Sequence, residues 1–443
     1  MRLRFPDRFK ALDQTLQHFK AGLDVIDRQQ LQLVRFNQVW HRALSIPFYE
    51  KWAAENSLPG SISRIEDLAK FPILTKSTIV DNADLVFRGF DPNNCYTTGG
   101  STGEPAKYPK GPEDAAGLWA NTFVARDRSD LRPGDVYVHL WGHSHLFGAG
   151  RSAAIRKRLR RIKDYGVGGI RLNAYDQSPS SLRRYLEEIR RVNPKYVIGY
   201  ASAIRAIADT LLDQDVDYRL SNLSTVIVTS ETSTHEDLRI IEKAFCCPVS
   251  QEYGTAETGV VASTLSPGLR DLEVHWASFA VNAGHDGAIA ITTLDQRGFP
   301  LINYSPGDRI ETSDDNSSVF RVSKIIGRSK DIVNVSNMNG EVIRVNMIAV
   351  AHVLKTVPAI RTVQAVASND CVLRVLVTAP LGSPKNEEQL ASYLAAGLSV
   401  GQNSPVDKSS LSVEIVDRPY RSVSGKVTMM IPAQAAVRQA DWL

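Results

Sequence analysis

From residue 136 to 253 the chain alternates short apolar runs with amphipathic segments. Residues 136–141, 196–200, 225–229 and 249–253 are strand-length runs of β-branched and aromatic side chains. Between the later runs the apolar positions fall into helical phase. Leu182, Leu186 and Ile189 share a face within 181–192, residues 202–213 supply the next helix, and Leu238, Ile241 and Phe245 share a face within 237–245. Strand, helix, strand in strict succession predicts a parallel α/β sheet.

The flanks read differently. Residues 8–57 are charged and glutamine-rich, with Leu31, Val34, Val39 and Leu44 at helical spacing, and predict helices packed on a larger body. Residues 45–49 and 71–76 interrupt that pattern and read as connectors. Beyond 284, the run 288–293, the turn 295–298 and the run 301–304 predict antiparallel hairpins, 305–308 a tight turn that projects Asp308, and 319–326 a further strand. The last hundred or so residues supply a hairpin around 368–370, a helix near 386–397 and a strand at 411–416, enough for a small α+β unit. We place a domain boundary near Lys330, giving units 1–329 and 330–443.

Composition narrows the class without choosing a function. A chain of 443 residues exceeds what one core organises. A net charge of +4 gives no general case for a nucleic-acid or membrane partner. Cys95, Cys246, Cys247 and Cys371 lack paired spacing and read as reduced thiols of a cytoplasmic protein. No stretch approaches 18 apolar residues and residues 1–7 form no apolar leader, so secretion and membrane spanning are not expected. The seven basic residues between Arg151 and Lys163 fit a solvated helix face better than a phosphate-landing patch.

Candidate chemistry begins at Thr97–Lys107, which holds three glycines, four hydroxyls and a lysine. Thr98, Gly99, Gly100, Ser101, Thr102 and Gly103 can turn backbone N–H groups and hydroxyls toward one set of phosphate oxygens, with Lys107 adding charge. The ending of a Walker A loop is missing, and turn chemistry alone fits a surface turn equally well. Ligands of open α/β sheets lie beyond the carboxyl ends of the strands. Here those ends carry Trp141, Tyr200, Ser230 with Glu231, and Tyr253-Gly254-Thr255-Ala256-Glu257, so Glu231 and Glu257 are expected to face one crevice. Trp141, His143 and Tyr200 are candidate walls of an acyl pocket. His143 and His145 have poor spacing for zinc and no third ligand.

Taken in order, these residues resemble the adenylate-forming superfamily, and within it the branch of the phenylacetate-CoA ligases and capsule-biosynthesis adenylating proteins. Ile46-Pro47-Phe48-Tyr49 and 67–76 are similar to that branch's N-terminal signature, 97–107 to its phosphate loop, Thr229-Ser230-Glu231 to its adenine-flanking segment, and 253–257 to its Tyr-Gly-x-Thr-Glu motif. Asp308 matches the ribose-binding aspartate, Arg328 the arginine of the Gly-Arg motif, Lys330 the hinge position and Lys426 the catalytic lysine of the C-terminal domain. The resemblance implies a large N-terminal domain with parallel α/β sheets and an antiparallel subdomain, followed by a small mobile α+β domain. It implies ATP, with Mg²⁺ on Glu257, and activation of a carboxylic acid of aryl or arylacetic type to an acyl-adenylate with loss of pyrophosphate. The acyl group would then pass to a thiol of coenzyme A or of a carrier protein. An amine acceptor that yields an amide, and a non-catalytic nucleotide-binding scaffold, are the alternatives. Homodimerisation is left open. Three positions depart from the pattern: Glu104 stands where many members carry lysine, Ala256 where a hydroxyl usually meets the α-phosphate, and 336–341 has its glycine displaced.

Overall fold

The computed structural model describes residues 5–97, 106–141, 164, 166, 168–174, 179–213, 219–295, 297–314, 318–328, 332–355, 357, 360–366, 372–379, 386–399, 405–421 and 427–431. The expected parallel sheet is present. Strands β3 (Tyr137–Trp141), β4 (Gly169–Asn173), β5 (Tyr196–Tyr200), β6 (Thr225–Thr229) and β7 (Val249–Thr255) pair in parallel in the order β4-β3-β5-β6-β7. Beyond β7 the same sheet continues antiparallel through β8 (Gly259–Thr264), β9 (Leu272–Val274) and β13 (Arg321–Val322), eight strands in all. Helices Pro179–Val192, Ala201–Asp213 and His235–Phe245 form the crossovers. They bury Leu186, Ile189, Ile204, Ile207, Leu238, Ile241 and Phe245 against Val138, Leu140, Val197 and Val228. The last crossover helix is started by a reciprocal cap: the Thr234 hydroxyl accepts from the Asp237 amide, and the Asp237 carboxylate accepts from the Thr234 amide.

Two small antiparallel pairs flank the sheet. Strand β10 (Phe279–Ala283) pairs with β11 (Ile289–Thr293), and β12 (Asp308–Glu311) with β14 (Lys324–Arg328). The expected 288–293 strand is there, with its principal partner at 279–283; residues 301–304 meet it at an Ile291–Tyr304 bridge and a Thr293-to-Leu301 backbone bond.

At the N-terminal end, helices Pro6–Lys20, Val25–Ala43 and Pro47–Glu55 cover the large unit. Two expectations need correcting here. Residues 47–55 are helical rather than a connector, because Pro47 stands in the first turn, where its missing N–H costs no hydrogen bond. The buried stripe of the second helix is Gln32, Phe36, Val39, Trp40 and Ala43, while Val34 is 45% exposed. The large rings decide the matter: Phe36 and Trp40 both pack on Phe71. Gln32 is tolerated inside because its amide donates to the carbonyls of Trp276 and Phe279.

The C-terminal residues build their own core. Strands β17 (Thr362–Val366), β18 (Leu373–Thr378), β19 (Leu411–Val416) and β20 (Met430–Ile431) form a mixed sheet covered by helices Met347–Lys355 and Glu387–Leu398. The apolar cluster they share runs from Val333 to Val413 and takes in no residue of the larger unit. Strands β15 (Ile332–Ser336) and β16 (Val342–Asn346) form a separate antiparallel hairpin. Among the described residues no helix is long and apolar enough to cross a membrane.

Candidate functional site

The site lies at the carboxyl ends of the parallel strands, where β7 changes partner. A register shift between Tyr253 and Gly254 bends the strand into a tight 255–258 turn before β8 returns. Gly254 is required by contact: a Cβ there would stand 1.9 Å from the Gly259 carbonyl oxygen. The Thr255 hydroxyl is used inside the turn, where it lies 3.0 Å from the Thr258 hydroxyl and accepts from the Thr258 amide. Ala256 is exposed at the tip.

Glu257, 6% exposed, is held on two sides. The Tyr304 hydroxyl donates to Glu257 Oε1 at 2.7 Å, and the Tyr108 hydroxyl lies 2.9 Å from that of Tyr304. Both tyrosines are 2% exposed. Burial, the Glu257 charge and Tyr108 push the Tyr304 hydroxyl far above the usual phenol range, so it keeps its proton at every working pH. Behind the turn, the Arg297 guanidinium donates to the carbonyls of Glu257 and Thr258 at 2.9 and 2.8 Å and grips Asp295 at 2.7 Å. Burial alone would lower this guanidinium, but the Asp295 charge and hydrogen bond outweigh it and hold it above its ordinary value.

The next residues meet across β12 and β14. Asp308 and Arg328 are direct cross-strand partners, and the Tyr253 hydroxyl donates to Asp308 Oδ2 at 2.9 Å. Tyr253 therefore ties β7 to the strand that presents Asp308. Trp141 and Tyr200, at the ends of adjacent strands, pack with ring centroids 4.6 Å apart and planes tilted by 50°.

Glu231 is half-buried, with both carboxylate oxygens engaged by backbone amides. Its Oε2 accepts from the Ser202 amide at the start of helix Ala201–Asp213 at 2.8 Å, and its Oε1 from the Val427 amide at 3.0 Å. The carboxylate thus links the large unit to the residue that follows Lys426 in sequence. Ser230 carries a left-handed backbone, φ 67°, to make that placement. Lys107 is exposed on β2 (Lys107–Pro109), paired with β1 (Cys95–Thr97) in the register Thr97–Lys107, so the two strands bracket the glycine-rich segment. Thr98, Gly99, Gly100, Ser101, Thr102, Gly103, Glu104, His143, His145, Lys330 and Lys426 lie outside the described residues, as does 151–163. The 336–342 hairpin turn is closed by Asn337, whose side-chain oxygen accepts from the Asn339 and Glu341 amides, with Gly340 at φ 79°.

Sequence reasoning gave no role to Tyr108, Tyr304 or Arg297. A tyrosine two residues before Pro-Gly-Asp and an arginine two residues after a turn aspartate are the only signals for the last two, and both also occur on ordinary surfaces. Chemically the arrangement offers one oriented carboxylate. Tyr304 engages Oε1 of Glu257, and no described residue donates to Oε2. A single hard oxygen donor fits Mg²⁺, which is commonly held by one or two carboxylates together with substrate phosphates. No group of three or more His, Cys, Asp or Glu among the described residues forms an all-protein metal site.

No protein-family model matches the chain. Protein CapK of Staphylococcus aureus is 23% identical over 332 residues, which is 72% of each chain. Phenylacetate-coenzyme A ligase of Pseudomonas putida is 24% identical over 338 residues, 72% of this chain and 74% of that one. Among solved structures, 2-hydroxyisobutyryl-CoA ligase in the postadenylation state, in complex with R3-HIB-AMP, superposes with a TM-score of 0.67 at 15% identity, covering 94% of this chain and 93% of that one.

Proposed function

We propose that this chain, a homologue of CapK and the phenylacetate-CoA ligases with the fold of the adenylate-forming superfamily, activates a carboxylic acid with ATP and transfers it to coenzyme A. The substrate carboxylate attacks the α-phosphorus and pyrophosphate leaves, giving an acyl-adenylate; the thiol of coenzyme A then displaces AMP. The observation that carries the reading is the convergence of Glu257, Asp308 and Tyr253 at the strand ends, with Asp308 opposite Arg328.

In this reading the residues divide the work by chemistry. Thr98 to Gly103 and Lys107 steady the β- and γ-phosphates. Ser230, Glu231, Tyr253, Gly254 and Thr255 border the nucleotide, and Asp308 accepts from the ribose hydroxyls with Arg328 beside it. Glu257 would hold Mg²⁺, which when bound neutralises phosphate charge between two anions. Lys426 meets the carboxylate and α-phosphate oxygens, a point charge on a long stem suited to a group that arrives and leaves. Residues 1–329 form the adenylation domain and 330–443 the mobile domain, turning at Lys330 between the two half-reactions. The Trp141–Tyr200 ring pair supports an aryl or arylacetic acid, with His143 as a third wall.

The test is acid-dependent exchange of labelled pyrophosphate into ATP over a panel of aryl, arylacetic, fatty and amino acids. Exchange is expected with an aryl or arylacetic acid, and its absence with every acid would overturn the reading. Lys426→Ala should abolish exchange while ATP affinity stays within several-fold; near-normal exchange would remove Lys426 from the mechanism.

A further inference from the structure

Resting on the adenylation reading, we propose that Tyr304, itself oriented by Tyr108, is a positioning residue that presents Glu257 to its metal. A phenol has one proton. Tyr304 donates its O–H to the Glu257 carboxylate in a hydrogen bond, so the 2.9 Å contact with Tyr108 must be donated by Tyr108. The result is a directed chain, Tyr108 to Tyr304 to Glu257, buried along its length.

Its two ends belong to different parts of the site. Tyr108 lies on β2, the strand that follows the glycine-rich segment and pairs with the strand that precedes it. Glu257 lies in the turn after β7. Tyr304 itself is fixed from a third direction. Leu74 bridges to it, the Ser305 amide donates to the Leu74 carbonyl, the Asn303 amide side chain donates to the Phe71 carbonyl, and the Tyr49 hydroxyl donates to the Pro300 carbonyl. The N-terminal signature segment thereby acts as the footing of a hydroxyl that touches the metal-binding carboxylate. With one oxygen occupied by Tyr304, the carboxylate is left to offer the other, a single-point ligand.

The test measures ATP affinity as a function of Mg²⁺ concentration by calorimetry with no acid present, so that turnover plays no part. Tyr304→Phe removes one oxygen and should raise the Mg²⁺ concentration for half-maximal ATP affinity about 10-fold, the order expected for one hydrogen bond to a charged group. Tyr108→Phe should raise it less. Because Tyr108 acts through Tyr304, the double variant should match Tyr304→Phe alone rather than the product of the two effects. Ile189→Val, a core substitution in a crossover helix outside this footing, should lower thermal stability and leave the Mg²⁺ dependence unchanged. The proposal is overturned if Tyr304→Phe, or Tyr108→Phe where the former does not fold, keeps the wild-type Mg²⁺ dependence, or if the two effects multiply. Mg²⁺-independent ATP binding by the wild type would overturn this inference alone, whereas absence of pyrophosphate exchange with every acid would overturn the adenylation reading on which it rests.

Discussion

The Arg297 side chain is 2% exposed, and its four hydrogen bonds are divided between a counter-charge and two carbonyls of the Glu257 turn. Arg297→Met removes all four. The Asp295 carboxylate, 12% exposed, is then left with the Asn121 amide at 3.4 Å. Stranding one member of a buried ion pair costs about 3–5 kcal/mol, against a total stability of roughly 5–15 kcal/mol. Arg297→Lys keeps the charge beside Asp295 but cannot reproduce the planar fork, and each carbonyl left unsatisfied costs about 1–3 kcal/mol. Urea unfolding followed by tryptophan fluorescence should therefore rank wild type above the Lys variant and the Lys variant above Met. Pyrophosphate exchange should fall in both variants, since both release the 257–258 carbonyls and let Glu257 wander. Pairing Arg297→Met with Asp295→Leu should recover at least about 1 kcal/mol by removing the stranded charge. A Lys variant within about 0.5 kcal/mol of wild type, exchanging at the wild-type rate, would refute the view that Arg297 fixes this turn.

Two further outcomes are expected. Glu231→Gln replaces one of two acceptor oxygens with a donor that must face a backbone N–H, so the tie to Ser202 or to Val427 is lost; exchange at saturating ATP should slow about 10-fold, and an unchanged rate would refute a role for the tie. His275 is fully buried and its pKa is pushed well below the ordinary histidine value, by burial first and by Arg128 second. Its folded pKa is thus depressed, so the stability is present above the unfolded pKa of about 6.5 and is lost as pH falls below it, about 1.4 kcal/mol by pH 5.5. His275→Phe should flatten the dependence of melting temperature on pH between 7.5 and 5.5, and an unchanged slope would assign the acid sensitivity elsewhere.

The parallel sheet was legible because strands buried on both faces are written as continuous apolar runs: 196–200 and 225–229 match the observed strands residue for residue. The helix at 47–55 was not, since proline reads as a breaker until its place in the first turn is known. Val34 and Phe36 are both apolar, and only the partner rings distinguish the exposed one from the buried one. The ends of the parallel strands announced Trp141, Tyr200, Glu231 and Glu257, and the Asp308–Arg328 pairing joined two residues chosen for separate reasons. What held them in place was invisible for a physical reason. Tyr304, Arg297 and Asn303 act through partners far away in the chain, and no local pattern carries such information.

Those distant partners also set an order of events during synthesis. The contacts that seat the 300–304 segment span 251 residues from Tyr49 to Pro300, 232 from Phe71 to Asn303 and 196 from Tyr108 to Tyr304. At roughly 5–20 residues per second on the ribosome, the rings of Phe48 and Tyr49 emerge roughly 10–50 s before Phe299, which packs on both. Through that interval the nascent chain carries an uncapped aromatic surface, and its loop-closure entropy must be met before the Glu257 carboxylate gains its hydroxyl. The helix that carries Phe48 and Tyr49 therefore leaves the ribosome long before it can become native, and it is there that a chaperone would find a long-lived target.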